Sequence, residues 1–176
     1  MIWRRFKIYS NTTIADLHHI IQFSMGWDDS HLHQFRIYAK DYGIWYDGGP
    51  SFMDSAHLVQ IEQFEFDEGD KFTYEYNFYE FRLCDIRIEK IEECNSDSRQ
   101  PKCIGGSRIY HEYPVRHELD VLLDMSRLIE KLYDKVTKSR LAKAKELAEE
   151  YESLKFSRKR INQLLLEFHS DPSYRY

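Results

Sequence analysis

The sequence lacks the features that mark membrane and secreted proteins. No stretch approaches the roughly 20 consecutive apolar residues that a membrane-spanning helix needs. The opening residues, MIWRRFKIYS, alternate as a strand does and do not form a signal peptide. The cysteines number only three, Cys84, Cys94 and Cys103, without a paired spacing, which favours reduced thiols. We therefore predict a cytoplasmic protein with no membrane partner.

An excess of positive charge is also missing. The chain carries 25 basic and 30 acidic side chains, which gives a formal net charge of -5. Strong general binding to nucleic acid comes mainly from basic side chains that neutralise phosphates. Nucleic acid as a partner therefore gains no support from the charge, although a local basic patch is not excluded.

Familiar catalytic motifs are absent too. The sequence has no glycine-rich phosphate loop before a helix, no GxSxG turn and no HExxH zinc motif. We therefore predict no cofactor, and the sequence does not favour a familiar enzyme.

Aromatic residues are abundant: 13 Tyr, 11 Phe and 3 Trp make up 15% of the chain, which favours a sheet built from large side chains.

Residues 12–37 carry the clearest architectural signal, a helix followed by a turn and a strand. Thr13 can cap the helix, and Asp16 at the third helical position can complete a capping box with it. Gly26 suits the left-handed conformation that ends helices. The apolar face recurs at helical spacing: Ile14, Leu17, Ile20, Ile21 and Ser24. After a polar turn the period changes to two, which predicts a strand over residues 31–38.

The same periods assign the polar residues of this unit to faces. In the helix, His18, His19 and Gln22 fall on or near the polar face. In the strand, two histidines share a face with two apolar residues: His31, His33, Phe35 and Ile37. We therefore expect His33 to be a hydrogen-bonded histidine near the core and His31 to be a turn residue.

Two further stretches predict strands. Residues 2–8 alternate, with Arg4 interrupting the apolar face. Residues 72–88 predict an antiparallel hairpin that reverses near residues 79–82, with one aromatic and aliphatic face and one wet face. Tyr74 and Tyr76 occupy core-facing positions of this hairpin.

The connections are less regular. Residues 42–50, with three glycines and a proline, predict a loop, and residues 92–113 predict a long loop without periodicity. Residues 51–66 are compatible either with a helical turn or with the start of a strand.

Pro114 opens an all-helical remainder, since proline suits the first turn of a helix. Its last helix is predicted to be capped by Ser157, with four residues facing inward: Ile161, Leu164, Leu165 and Phe168. We predict an α+β sheet domain at residues 1–113 and a C-terminal helical segment at residues 114–170 packed on it. Because the helices carry several apolar faces, we expect them to pack partly on a second copy of the chain.

Four blocks, in order, resemble the Ri-plasmid ORF-three-like family, small proteins known from plasmids, transposon passenger genes and many microbial genomes. The blocks lie between Ile2 and Gly106: IWRRFKI with TTIADLHHIIQFSMGW, DDSHLHQFRI, EGDKFTYEYNFYEFRLCDIRIEKI, and PKCIGG. Downstream, FSRKRINQLLLEF resembles the family's closing helix. The resemblance implies an α+β domain with a helix packed on a mostly antiparallel, β-grasp-like sheet. It implies little about activity, because the family's biochemical role is unknown.

The chain departs from the family's pattern in the hairpin. Family positions that carry Asp, Gly, Asp, Trp and His hold other residues here: Asn77, Tyr79, Glu80, Arg82 and Cys84. A polar site on the hairpin, if the family has one, is therefore altered in this chain. The resemblance also implies a strand before Ile2, so we expect the first sheet strand to be missing or supplied from elsewhere.

One histidine pair is compatible with a metal site. His31 and His33 share a strand face, with Asp28 and Asp29 just upstream, a spacing that suits zinc or another transition metal. Further ligands would have to come from other histidines: His18, His57 or His111. Because two ligands do not make a site, we predict no metal and keep His31, His33 and Asp28 as the alternative ligand set.

Two other groups have simpler explanations. Cys94 and Cys103 share a loop and could be zinc ligands or a redox pair, but they lack CxxC spacing. Five acidic residues could suggest Mg²⁺ or acid–base chemistry, yet their clustering around a turn is typical of a solubilising surface: Glu62, Glu65, Asp67, Glu68 and Asp70.

The leading hypothesis is a non-enzymatic binding or adaptor domain that recognises another macromolecule, above all a protein. It rests on the absent catalytic motifs and on more amphipathic helix than a small sheet needs. The alternative is a metal-dependent enzyme acting on nucleic acid, which the mobile-element setting of relatives and the pair His31 and His33 favour.

Overall fold

The computed structural model describes residues 2–93, 100–107, 145 and 156–171. One of the two compact units of the chain comprises residues 4–105 and 158–176, and it contains both α-helices and the larger sheet described below. The elements follow in chain order: β1 (Trp3–Lys7), α1 (Ile14–Met25), β2 (His33–Ile37), β3 (Lys40–Tyr42), a 3₁₀ turn (Ile61–Phe64), β4 (Lys71–Tyr76), β5 (Arg82–Arg87), β6 (Lys102–Ser107) and α2 (Arg158–Ser170). The predicted α+β class is confirmed. No helix among these residues has the length and apolar character that crossing a bilayer requires.

The larger sheet has the strand order β3-β2-β4-β5, and all its pairs are antiparallel. Tyr74 lies at its centre, opposite Phe35 on one side and Cys84 on the other. Phe72, Tyr74 and Tyr76 are buried whereas Glu75 is half-buried, so the predicted hairpin and its register are confirmed. The short strand β3 was not predicted.

Helix α1 begins and ends where the sequence predicts. The Thr13 hydroxyl accepts from the backbone N–H of Asp16, whose carboxylate accepts from the N–H of Thr13. Gly26 ends the helix with φ 71°, a conformation that costs glycine little because it has no Cβ. Ile14, Leu17 and Ile21 belong to the core cluster that also holds the aromatic residues of β2 and β4.

The predicted location of two helix residues was wrong. His18 and Gln22 were expected on or near the polar face of α1, but they are buried, at 0% and 2% exposure. The helical period separates apolar from polar residues, but a polar side chain can face the core when the opposite element supplies a hydrogen-bond partner. Tyr74 on β4 supplies that partner to both.

The predicted loop over residues 92–113 is also wrong in part. Lys102–Ser107 form β6, which pairs with β1 in a second, two-stranded sheet. The segment has no alternating pattern, so its strand conformation depends on a distant partner that local periodicity does not reveal. The open stretch over residues 51–66 contains the 3₁₀ turn, in agreement with the helical alternative.

The final helix buries three of its four predicted inward residues. Ile161, Leu165 and Phe168 are buried, whereas Leu164 is half-buried. Phe168 packs against the rings of His19 and Phe23 on α1. Pro114 and the boundary between residues 113 and 114 lie outside the described residues, so the domain division and assembly through residues 114–170 stay predictions.

Candidate functional site

Three ionisable side chains from different elements meet between α1 and the larger sheet. His18 comes from α1, Asp29 from the turn that follows it, and His33 from the first position of β2. Both histidines are buried, while the Asp29 side chain keeps 30% exposure. Within the described residues they form the one group of three or more potential metal ligands, with one ligand atom from each within 4.8 Å of the others.

A closed ring of four hydrogen bonds holds two of these residues. The backbone N–H of Asp29 lies 3.2 Å from Gln22 Oε1, and Gln22 Nε2 lies 2.8 Å from the Tyr74 hydroxyl. That hydroxyl lies 2.8 Å from His18 Nδ1, and His18 Nε2 lies 2.7 Å from Asp29 Oδ1. We call Gln22, Tyr74, His18 and Asp29 the polar ring.

Two groups of Asp29, its backbone N–H and its carboxylate, fix the direction of the bonds in the polar ring. A backbone N–H only donates, so Asp29 must face the carbonyl oxygen of Gln22, whose Nε2 then donates to Tyr74. At the other end of the ring the Asp29 carboxylate only accepts, so a neutral His18 carries its hydrogen on Nε2 and donates it there. His18 Nδ1 therefore accepts, and the Tyr74 hydroxyl donates to it.

His33 is held differently. Its Nε2 accepts from the backbone N–H of Ile44 at 3.2 Å, so the neutral ring carries its hydrogen on Nδ1. Nδ1 is buried and has no hydrogen-bond partner in the part of the chain that the structure describes. The His33 ring stacks on that of His18, with centroids 3.6 Å apart and planes inclined by 18°.

Burial keeps both imidazoles neutral. It lowers the pKa of His18 to about 2, with repulsion from His19 as a second cause. It lowers the pKa of His33 to about 2 as well, and here the neighbouring His18 adds repulsion. Burial raises the pKa of Asp29, opposed by His19 and His33. At neutral pH the site is therefore two uncharged rings beside one carboxylate.

The residues of the alternative ligand set separate in the structure. His33 is 1% exposed and hydrogen-bonded to backbone, which confirms the expectation for it, whereas His31 is exposed. His31 Nδ1 lies 2.8 Å from Ser30 Oγ and 3.4 Å from the Tyr76 hydroxyl, and Asp28 accepts from both of those groups. His31 and Asp28 thus share a surface group apart from the polar ring.

Other predicted candidates do not join the site. His57 lines a cleft of about 430 Å³ at the start of α1. His111 and Cys94 lie outside the described residues, while Cys103 is buried. The acidic residues near residues 62–70 lie at the surface, where three of their carboxylates accept hydrogen bonds from neighbouring groups.

Sequence reasoning missed Gln22 and Tyr74 as members of the site. One signal could have found them: His18 and Gln22 are four residues apart, so they lie on the same helix face. Tyr74 sits at a core-facing position, and a buried tyrosine hydroxyl needs a partner.

The second notable region is the reversal of the hairpin, which exposes large apolar side chains. Tyr79, Phe81 and Leu83, which we call the hairpin tip, are 96%, 74% and 61% exposed. Asn77 organises the reversal: its side chain accepts from the N–H of Tyr79, and its carbonyl accepts from the N–H groups of Glu80 and Phe81.

Arg82 anchors the hairpin tip to the buried part of the protein. Its side chain is 2% exposed, pairs with Glu80 at 2.6 Å and lies over the rings of Trp27 and Tyr76. Of the three tip residues, Tyr79 is one of the departures noted in the sequence, and Asn77, Glu80 and Arg82, which hold the reversal, are three others.

Comparisons with known proteins agree with the resemblance. A family model described as plasmid pRiA4b ORF-3-like protein matches residues 1–114. The uncharacterised protein y4hQ of Sinorhizobium fredii is 27% identical over 94 residues, which cover 51% of this chain and 47% of that protein. The chain thus spans about half the length of this curated relative. A crystal structure of a protein of unknown function from Methanosarcina mazei matches with a TM-score of 0.54 and 25% identity, over 80% of this chain and 79% of that one.

Proposed function

We propose that this chain, which belongs to the plasmid pRiA4b ORF-3-like family, is a non-enzymatic macromolecule-binding or adaptor domain whose partner is a protein. The matched relatives are themselves uncharacterised, so the proposal rests on this chain's own residues. The single observation that carries it is the hairpin tip, where Tyr79, Phe81 and Leu83 expose most of their apolar surface.

Exposed aromatic groups in one short stretch favour a protein partner. Aromatic side chains are enriched among the residues that carry binding energy at protein interfaces, and clustered apolar exposure marks interaction sites. The tip is also held by the Asn77 bonds and by buried Arg82, so it would lose little conformational entropy on binding. A net charge of -5 gives no comparable support to a nucleic acid partner.

A photo-crosslinking residue at position 79 tests this proposal in cells of the source organism. We expect a discrete crosslinked product that protease degrades and nuclease leaves intact. The double variant Phe81→Ser and Leu83→Ser should lose the product. The matched control, Met53→Ser and Leu58→Ser, removes side chains that are 91% and 76% exposed elsewhere, and it should keep the product. Equal loss in both variants, or a product that only nuclease degrades, would refute the proposal.

A metal-dependent enzyme acting on nucleic acid is the second candidate. One observation favours it: His18, Asp29 and His33 lie together and offer nitrogen and oxygen ligands. Cleavage of nucleic acid that requires added Zn²⁺ or Mn²⁺, stops with a chelator and is absent in His33→Ala would favour this candidate over the first.

A further inference from the structure

One buried nitrogen beside the polar ring, Nδ1 of His33, has no explained role. His33 Nδ1 is buried without a hydrogen-bond partner among the described residues, although its ring stacks on His18 and its neighbour Asp29 is a carboxylate. A buried nitrogen without a partner is unfavourable, because it loses its bonds to water and gains none. Such a group beside two potential metal ligands points to a bound species.

We propose that His18, Asp29 and His33 bind one divalent transition-metal ion, and that binding reverses the direction of the two hydrogen bonds that the Tyr74 hydroxyl makes in the polar ring. This inference goes beyond protein binding at the hairpin tip and does not depend on it. Two imidazoles and one carboxylate suit ions such as Zn²⁺ and Mn²⁺, with water completing the coordination. The 30% exposure of the Asp29 side chain gives the ion its route to the buried rings.

Binding requires a lone pair where His18 carries its hydrogen. In the metal-free ring that hydrogen is on Nε2, between His18 and Asp29, at the place where an ion would sit. The hydrogen must therefore move to Nδ1 and donate to the Tyr74 hydroxyl, which then donates to Gln22 once its amide has turned. The Tyr74 hydroxyl keeps a hydrogen bond to each of its two partners, and His18 gains the arrangement typical of ligands, whose second nitrogen donates to a fixed partner.

Binding gives up three hydrogen bonds: the 2.7 Å bond between His18 Nε2 and Asp29, which coordination of the ion replaces, and the two longest of the site. Turning the Gln22 amide gives up the 3.2 Å bond from the backbone of Asp29. Freeing a lone pair on His33 Nδ1 gives up the 3.2 Å bond from Ile44. The two bonds to the Tyr74 hydroxyl, both 2.8 Å, remain with reversed direction. The stacked rings must also tilt, so that both nitrogens face the ion.

Calorimetric titration of the full chain with Zn²⁺ and Mn²⁺ tests the binding site. The protein is purified without a histidine tag and freed of metal by a chelator. We expect one site of micromolar or tighter affinity for at least one of the ions, lost in His18→Ala, Asp29→Asn and His33→Ala. His31→Ala is the matched control, because this exposed histidine lies two residues from His33, and it should bind like the wild type. Absence of binding by the wild type, or its loss in His31→Ala, overturns the proposal.

Gln22→Glu tests the reversal separately from folding. A carboxylate at position 22 accepts both from the Asp29 amide and from the Tyr74 hydroxyl, so it favours the direction that leaves a lone pair on His18 Nε2. We expect this variant to bind the ion about tenfold more tightly, a change of about 1.4 kcal/mol in binding free energy. Circular dichroism confirms that each variant is folded. Weaker binding by folded Gln22→Glu would overturn the reversal.

Discussion

Polar and apolar residues exchange their usual places in two regions of this protein. The polar ring places His18 and Gln22 in the interior, whereas the hairpin tip places Tyr79 and Phe81 in solvent. Inside, every polar atom of the ring has a partner of the correct donor or acceptor type, so burial is tolerated. Outside, the apolar side chains have no such compensation within the described residues. We infer that the ring specifies the fold and that the tip is available for function.

The two regions also differ in the sequence distance that their contacts span. Tyr74 bonds to residues 52 and 56 positions away, which joins α1 to the central strand of the sheet. The contacts that shape the tip run within residues 77–82 and to rings just below them. Substitutions in the ring should therefore affect the whole fold, and substitutions in the tip should leave it intact.

The largest effect should follow removal of the residue at the centre of the ring. Tyr74→Ala deletes a fully buried aromatic side chain, and we expect a loss of about 3–5 kcal/mol in the free energy of unfolding. Glu75→Ala, on the other face of the same strand, removes one partly exposed hydrogen bond to Gln34 and should cost less than about 1 kcal/mol. Denaturant unfolding measures both, and similar losses would remove the distinction between the two faces.

The second-largest effect should be a loss of folding stability at acidic pH, through His18 and His33. The folded-state pKa values of His18 and His33 are about 2, far below the unfolded value near 6.5. The unfolded state therefore binds more protons between these values, so the stabilisation is complete above pH 6.5 and is lost as the pH falls. Each histidine should contribute up to about 1.4 kcal/mol per pH unit below pH 6.5.

The raised pKa of Asp29 acts in the opposite sense, and its contribution fades as the pH rises above its unfolded value near 3.8. Unfolding measured at pH 7, 6 and 5 tests the histidine slope. His33→Leu should reduce this slope, whereas exposed His31→Ala should not change it. An unchanged slope in His33→Leu would mean that His33 is not kept neutral by burial.

Removal of the Tyr74 hydroxyl tests the hydrogen bonds of the polar ring separately from its packing. Tyr74→Phe keeps the aromatic ring but leaves Gln22 Nε2 and His18 Nδ1 without their partner. We expect a loss of about 1–3 kcal/mol in the free energy of unfolding, the usual cost of unsatisfied buried groups. Tyr76→Phe removes a hydroxyl whose partners, Ser30 and Asp28, are exposed, so it should cost less. The reverse order would contradict a closed ring.

The hairpin tip should show the smallest effect on stability. Replacing Tyr79 and Phe81 by serine removes side chains that are 96% and 74% exposed, and we expect the free energy of unfolding to stay within about 0.5 kcal/mol. The same change should reduce association at high protein concentration, measured by light scattering, because it removes exposed apolar surface. A large loss of stability would show that the tip packs against the protein's own residues.

Local sequence signals were sufficient for the elements whose causes are local. The capping residues Thr13 and Asp16, the glycine that ends α1 and the alternation in β4 each act within a few residues, and each predicted its element correctly. The same holds for α2, whose inward residues follow helical spacing.

The candidate site depends on contacts that no local pattern contains. Gln22 is a tolerable core residue only because Tyr74, 52 positions away, completes its hydrogen bonds. Strand β6 likewise exists because β1 pairs with it, and the sequence KCIGGS has no period of its own. The motif LHH with DDSHLH pointed to histidines and aspartates, but chain geometry selected His18 and Asp29 as the neighbours of His33.

The direction of the hydrogen bonds in the polar ring is the central claim, and the tautomer of His18 tests it most directly. A long-range ¹H–¹⁵N correlation spectrum of the metal-free protein at pH 7, assigned with a His18 variant, reports which ring nitrogen carries the hydrogen. We predict a neutral His18 ring protonated at Nε2, and a neutral His33 ring protonated at Nδ1. A His18 ring protonated at Nδ1, or at both nitrogens, would contradict the account.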